Sequence, residues 1–154
     1  MALLPKPLFV YGTLRDPDIL ASLLDRALSP HQATEAYAAG FAAVHYPGRV
    51  YPALVPAPEG AAPGLILSDL TPGELAILDA FEGDEYRRDA IAVHTASGMI
   101  DAQVYLPVLP IPADAGPWTL HNWTLSHKPG LLEGERRTAA ALRERLSAAQ
   151  KPTA

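Results

Sequence analysis

A glutamate occupies a position where a helix would normally bury a hydrophobic side chain. Leu75, Leu78 and Glu82 follow one another at intervals of three and four residues, which places them on one helix face. Glu82 also falls in the last turn, where unpaired carbonyl groups disfavour a negative charge. Both effects should raise the pKa of its carboxylate, which suits a general base near neutral pH. The alternative is a helix that has frayed by Glu82 and leaves a solvated side chain. The neighbouring acids are interpreted as surface charges: Asp79, Asp84 and Glu85.

The second candidate is a turn that contains one glycine. The apolar run Leu8–Tyr11 predicts a buried strand, and Asp16 followed by Pro17 predicts the start of a helix. Glycine between them lets the backbone approach a ligand closely, and exposed amides there could hold a carboxylate or a carbonyl oxygen. In the alternative interpretation the glycine is only a packing residue. The candidate binding residues of this turn are Tyr11, Gly12, Thr13, Leu14, Arg15 and Asp16.

Other chemistries lack the residues that they need. The five histidines show no metal-ligand spacing, and the chain has no cysteine. The G-x-S-x-G pattern of serine hydrolases does not occur. We therefore expect no metal and no catalytic triad.

Composition limits the class of protein. The net charge of −5 disfavours a nucleic-acid or anionic-membrane partner, because such proteins present a basic face. Four arginines between residues 136 and 145 alternate with glutamates, which is typical of a solvated helix face. No apolar run is long enough to span a membrane, and the N-terminus is a poor signal peptide. We expect one cytoplasmic domain over residues 1–148 with a flexible tail at 149–154, and the oligomeric state stays open.

The remaining patterns predict an α+β fold with a small mixed β-barrel or curved sheet and flanking helices. The helices are expected at Asp16–Leu28, Thr71–Gly83, Thr119–His127 and Leu132–Ala148, the second with a capping box and proline at its first position. Strands are expected at Leu8–Tyr11, Tyr51–Val55, Gly64–Leu70, Arg88–Thr95 and Met99–Tyr105, the last two as a hairpin. Thr34–Tyr46 could be a strand or irregular.

The ordered set of short motifs resembles the γ-glutamylcyclotransferase-like superfamily, and most closely its AIG2-like branch. The motifs span about residues 8–125 and comprise Phe9–Leu14, Tyr51–Leu54, Pro63–Ile66, Leu78–Gly83 and Tyr86–Arg88. The resemblance implies a barrel-like sheet with flanking helices, a substrate-binding tyrosine-glycine turn and a glutamate, here Glu82, as proton acceptor. It also implies substrate contact by Tyr86 and a γ-glutamyl small molecule as substrate, with no organic cofactor.

The implied reaction closes a γ-glutamyl amine, amino acid or peptide to 5-oxoproline and releases the amine. The competing hypothesis is a binding module on the same fold, which holds a small molecule or contacts another protein through its proline-rich loop. Burying an unused carboxylate at Glu82 would cost stability, which favours the enzyme. Three features depart from the resemblance: Leu106-Pro107 after Tyr105, the loop Pro107–Pro117 and the C-terminal helix.

Overall fold

The fold is a closed five-stranded barrel with helices packed outside, and the predicted α+β class is confirmed. A computed structural model describes residues 6–150 and the side chains of residues 6–148. The strands, in chain order, are β1 (Leu8–Val10), β2 (Ala33–His45), β3 (Pro52–Leu67), β4 (Tyr86–Thr95) and β5 (Gly98–Pro107). Their order around the barrel is β1-β3-β2-β4-β5.

The short strand β1 closes the barrel. Leu8 pairs with Leu67 of β3 in antiparallel fashion, and Phe9 pairs with Val104 of β5 in parallel. All three residues of β1 are buried, which explains why the strand reads as an uninterrupted apolar run. The chain that leaves β1 therefore emerges at one end of the barrel, and the candidate turn lies there.

Prediction of two strands between residues 51 and 70 was wrong, because β3 is a single strand of 16 residues. It pairs with β2 from His45↔Pro52 to Ala33↔Leu67, with a register shift between Ala39 and Phe41. Strand β3 pairs with β1 only through residues 65–67. The rest of the strand, which carries the prolines, therefore has β2 as a paired neighbour on one side only. Prolines are tolerated there because a strand paired on one side need not donate from every amide.

Four helices flank the barrel: α1 (Pro17–Leu24), α2 (Pro72–Glu82), α3 (Leu120–Ser126) and α4 (Lys128–Gln150). The predicted start of α2 is confirmed, with reciprocal hydrogen bonds between Thr71 and Glu74. Helix α1 ends four residues before the predicted Leu28, since Asp25 takes a left-handed conformation with φ of 56°. Helix α4 begins at Lys128, four residues before the predicted start.

The helices pack on the barrel through one apolar cluster that joins α1, α2, α3 and α4 to β1. Trp118 and Trp123 are buried in this cluster. Within residues 6–150, no helix is long and apolar enough to cross a membrane. The tail predicted at 149–154 lies outside the described residues, except for the helix backbone up to Gln150.

Candidate active site

Glu82 is the last residue of α2, and its side chain faces a small pocket at the end of the barrel. Leu75 and Leu78 are buried on the same helix face, as the spacing predicts. Gly83 ends the helix with φ of 71°, a conformation that favours glycine, and so keeps Glu82 inside the last turn. The pocket, hereafter the Glu82 pocket, has a volume of about 30 Å³. Its polar walls are the turn at residues 11–14 and the side chains of Tyr51, Glu82, Tyr86 and Tyr105.

The surroundings of Glu82 favour its protonated form. Burial, with a smaller contribution from the negative charge of Asp79, raises the pKa of Glu82 from 4.5 to about 8. The side chain remains in partial contact with solvent. A carboxyl group with such a pKa exchanges its proton near neutral pH, which is the property that a general acid/base needs.

Two neighbouring carboxylates are engaged by fixed partners, whereas Glu82 is not. Asp79 accepts from Arg88 Nε at 2.8 Å and from the Tyr105 hydroxyl at 2.8 Å. Glu85 accepts from Arg49 Nε at 3.2 Å and from the Tyr51 hydroxyl. Across the described part of the chain, no hydrogen bond or ion pair involves the carboxylate of Glu82. Its oxygens are therefore available to a ligand.

Tyrosines form the rest of the polar wall and hold it rigid. Tyr11 donates to the carbonyl of Tyr105 at 2.5 Å, and Tyr86 donates to the carbonyl of Pro52 at 2.5 Å. Burial raises the pKa of the Tyr11, Tyr86 and Tyr105 phenols and raises that of Tyr51 to about 12. These hydroxyls stay protonated at neutral pH, so Glu82 is the side chain whose pKa lies near neutrality among the described residues that line the pocket.

The turn after β1 is a 3₁₀ turn over Thr13–Arg15, and its residues Thr13 and Leu14 line the pocket. Arg15 is the first residue whose N–H reaches an acceptor within the turn, the carbonyl of Gly12 at 3.0 Å. The amides of Thr13 and Leu14 precede that point, so the turn's own carbonyls cannot accept from them.

Close packing explains the glycine of this turn. Gly12 has φ of −121°, so no positive φ requires glycine here. A Cβ atom at Gly12 would lie 2.9 Å from Cγ and 3.0 Å from Cδ of Pro52, which is too close for two carbon atoms. The packing interpretation of Gly12 therefore holds, while its backbone still borders the pocket.

Arg15 and Asp16 do not line the Glu82 pocket. Arg15 borders a separate cleft next to Trp118. Asp16 is buried, accepts from the amides of Asp18 and Ile19 at the start of α1, and pairs with Lys128 Nζ at 2.9 Å. Its role in the structure is to cap α1 and to anchor α4.

Sequence reasoning omitted Tyr51, Pro52 and Tyr105 from the candidate site, although all three line the pocket. Tyr51 and Pro52 belong to a motif that carries the family resemblance, which was the available signal. Tyr105 gives no local signal, because its position in the pocket depends on the pairing of β5 with β1 and β4. Within residues 6–150, no group of three or more histidine, aspartate or glutamate side chains is placed to bind a metal ion.

The fold and the pocket together define a small α+β barrel protein whose barrel-end pocket is lined by the carboxylate of Glu82. The sequence model described as "Gamma-glutamyl cyclotransferase, AIG2-like" matches residues 8–125, and the chain belongs to this family. AIG2-like protein A of Arabidopsis thaliana is 34% identical over 128 residues, covering 81% of this chain and 76% of that protein. AIG2-like protein D of the same plant is 31% identical over 138 residues, covering 87% of this chain and 89% of that protein.

Solved structures show the same fold. An Arabidopsis thaliana protein solved in solution superposes with a TM-score of 0.64 at 28% identity, covering 96% of this chain and 95% of that chain. The crystal structure of an AIG2-like protein from Mus musculus superposes with a TM-score of 0.55 at 22% identity, covering 70% of this chain and 80% of that chain. The second likeness supports the fold alone.

Proposed function

We propose that this protein is a cyclotransferase that converts a γ-glutamyl compound to 5-oxoproline and releases the amine, with Glu82 as general acid/base. The observation that carries the proposal is the unpaired carboxylate of Glu82, whose pKa burial raises to about 8 in a pocket within the family-matched region. An unpaired, partly buried carboxylate lowers stability, so its presence calls for a function.

The reaction forms one bond and breaks one. The α-nitrogen of the glutamyl group attacks its own δ-carbonyl carbon, and the amide C–N bond to the leaving amine then breaks. Two protons leave the α-ammonium, and the released amine gains two when it departs as an ammonium ion. Glu82 accepts each of these protons in turn and returns it to the leaving nitrogen, so no net proton is consumed.

The pKa of Glu82 suits both transfers. The α-ammonium group of a γ-glutamyl compound lies beside its own free carboxylate, so its pKa is above the value of about 8 for a peptide N-terminus. A Glu82 pKa of about 8 brings the acceptor closer to that of the donor. A carboxylate with an ordinary pKa would be a much weaker base for the same proton. After ring closure, the protonated carboxyl can donate to the leaving nitrogen for the same reason.

The walls of the pocket support this assignment. The amides of Thr13 and Leu14, which have no acceptor within the turn, would hold the substrate carboxylate or the oxygen that becomes negative during attack. The tyrosine side chains are fixed by their own hydrogen bonds, so the pocket is formed before substrate arrives. Holding the glutamyl chain folded for ring closure would lower the entropic cost of attack.

The test is direct detection of 5-oxoproline by mass spectrometry after incubation with γ-glutamyl amines, amino acids and peptides. We expect turnover by the wild type and a loss of about 10²–10⁴-fold in Glu82→Gln. Glu59→Gln is the matched control, because Glu59 is an exposed glutamate on β3 outside the pocket. If Glu82→Gln kept more than a tenth of wild-type activity, another residue would be the base, and Glu85→Gln would be the next variant to test.

The same assay evaluates the binding-module alternative. If the wild type forms no 5-oxoproline from any compound but binds one of them in calorimetry, the pocket is a binding site without turnover.

A further inference from the structure

A second and larger pocket adjoins the Glu82 pocket. It has a volume of about 480 Å³ and is hereafter the α4 pocket. The two pockets share Thr13, Tyr51, Glu82 and Tyr86 as a common wall. A substituent on the δ-amide nitrogen of a substrate in the Glu82 pocket can therefore extend past Glu82 into the α4 pocket.

Helix α4 supplies one side of this pocket. Leu131, Glu135 and Thr138 line it, and their spacing of four and three residues puts them on one helix face. These residues lie beyond the family-matched region, which ends at residue 125. The pocket therefore combines walls from the family fold with a wall particular to this chain.

Two side chains of α4 fix the helix in this position. Lys128, its first residue, pairs with Asp16 at 2.9 Å. Near the other end, Arg143 donates to the carbonyl of Ser22 at 3.1 Å. Both partners belong to the start and body of α1, so α4 is held along its length and Glu135 has a defined place.

The lining of the α4 pocket combines apolar and acidic groups. Ile19, Phe81, Trp123 and Leu131 provide apolar surface, and no lysine or arginine lines the pocket among the described residues. Of its carboxylates, Glu85 is already paired with Arg49.

Glu135 is the carboxylate that α4 itself contributes. It is partly buried, and burial raises its pKa. No hydrogen bond or ion pair within the described part of the chain involves it, whereas Glu133, on the exposed side of the helix, pairs with Arg136. A ligand with a positive charge would restore the solvation that Glu135 loses.

We propose that the α4 pocket is the leaving-group subsite and that Glu135 is its specificity-determining residue. The subsite would select amines with an apolar chain and a second positive charge, such as alkyl diamines, and would disfavour leaving groups that carry a carboxylate. This proposal rests on the proposed cyclotransferase function.

The experiment compares two substrates of equal chain length that differ at the end of the leaving group. One is the mono-γ-glutamyl amide of 1,4-diaminobutane, and the other is the γ-glutamyl amide of 4-aminobutanoate. We expect kcat/KM for the diamine compound to exceed that for the carboxylate compound by at least tenfold. Glu135→Gln should reduce this ratio about tenfold, and Glu135→Lys should invert it. Glu144→Gln, an exposed glutamate on the same helix, is the matched control and should keep the ratio.

Binding measurements separate the two proposals. Calorimetry on Glu82→Gln gives the ratio of dissociation constants for the two compounds without turnover, and the Glu82→Gln/Glu135→Gln double variant gives its dependence on Glu135. Selective binding that depends on Glu135, without 5-oxoproline from the wild type, would refute the cyclotransferase but retain the subsite. Turnover with equal preference for both compounds, or a ratio that Glu135→Gln leaves unchanged, would overturn the subsite. Failure of the Glu82→Gln protein to bind either compound would also overturn it.

Discussion

The raised pKa of Glu82 has a consequence for stability that does not depend on any substrate. The folded protein holds a proton on Glu82 up to about pH 8, whereas the unfolded chain releases it near pH 4.5. Between these values the folded state binds the extra proton, so the contribution of Glu82 to the free energy of unfolding falls as pH rises. Glu82→Gln removes this dependence and keeps the shape of the side chain. We therefore expect the variant to become more stable than the wild type at alkaline pH.

The size of the effect follows from the same pKa. Each unit of difference between the pKa of Glu82 in the folded and unfolded states corresponds to about 1.4 kcal/mol. The change from 4.5 to about 8 therefore sets an upper bound of about 5 kcal/mol on the gain in the free energy of unfolding. Because the side chain keeps partial contact with solvent, we expect about half of that bound, or about 2–3 kcal/mol, at pH 9. For a domain of this size, this corresponds to a rise in melting temperature of roughly 5–10 °C.

Urea unfolding followed by circular dichroism at intervals from pH 5 to pH 9 measures the difference directly. The two proteins should be nearly equal at pH 5 and should diverge as pH rises towards 8. Glu59→Gln serves as the matched control, since it removes the same charge from an exposed position on β3. A wild type and a Glu82→Gln variant that differ equally at pH 5 and pH 9 would show that folding leaves the carboxylate as well solvated as in the unfolded chain.

Three further predictions concern activity and packing. If Glu82 is the base, the rate of 5-oxoproline formation should fall as pH drops below about 8. Asp79→Asn should shift the midpoint of the pH–rate profile to lower pH, because the charge of Asp79 raises the pKa of Glu82. An unchanged midpoint would exclude an effect of Asp79 on the pKa of Glu82. Gly12→Val should lower the melting temperature and the activity together, because the valine side chain must displace the Pro52 ring. The expected loss in the free energy of unfolding is about 1–3 kcal/mol. A variant of normal stability would contradict the packing role. Lys128→Met should destabilise the protein by about 1–3 kcal/mol, because it leaves a buried carboxylate without its cation; adding Asp16→Asn should restore part of the loss in urea titrations.

Local rules predicted those parts of the fold that local interactions determine. The start of α2 follows from Thr71, Pro72 and Glu74, and its end follows from Gly83, all within one short segment. The single strand β3 could not be predicted in the same way. Pro56, Pro58 and Pro63 weaken any local strand signal, and pairing with β2 on both sides of the register shift overrides them.

The same distinction applies to the site. The position of Glu82 on a buried helix face follows from spacing, so the sequence was sufficient to select it. The position of Tyr105 in the pocket depends on strands that are distant in the chain. Asp79 and Glu85 form ion pairs because the fold brings Arg88 and Arg49, respectively, next to them. The difference between a paired surface carboxylate and an unpaired one in a pocket is thus a property of tertiary structure.

The two pockets draw on different parts of the chain, and this separation has a physical consequence. The Glu82 pocket is built from β1, its turn, β3, α2 and the two strands that follow, all within the matched residues 8–125. The wall that bears Glu135 comes from a helix held to α1 by side-chain contacts rather than by sheet pairing. Changes on that helix face can alter which amine is accommodated without displacing the β1 turn or the last turn of α2. Ring closure acts on the glutamyl group, which every such substrate shares, so its machinery can stay constant while the subsite varies. On the proposed function, selectivity for the amine therefore resides in α4, whereas the proton transfer resides in the barrel end.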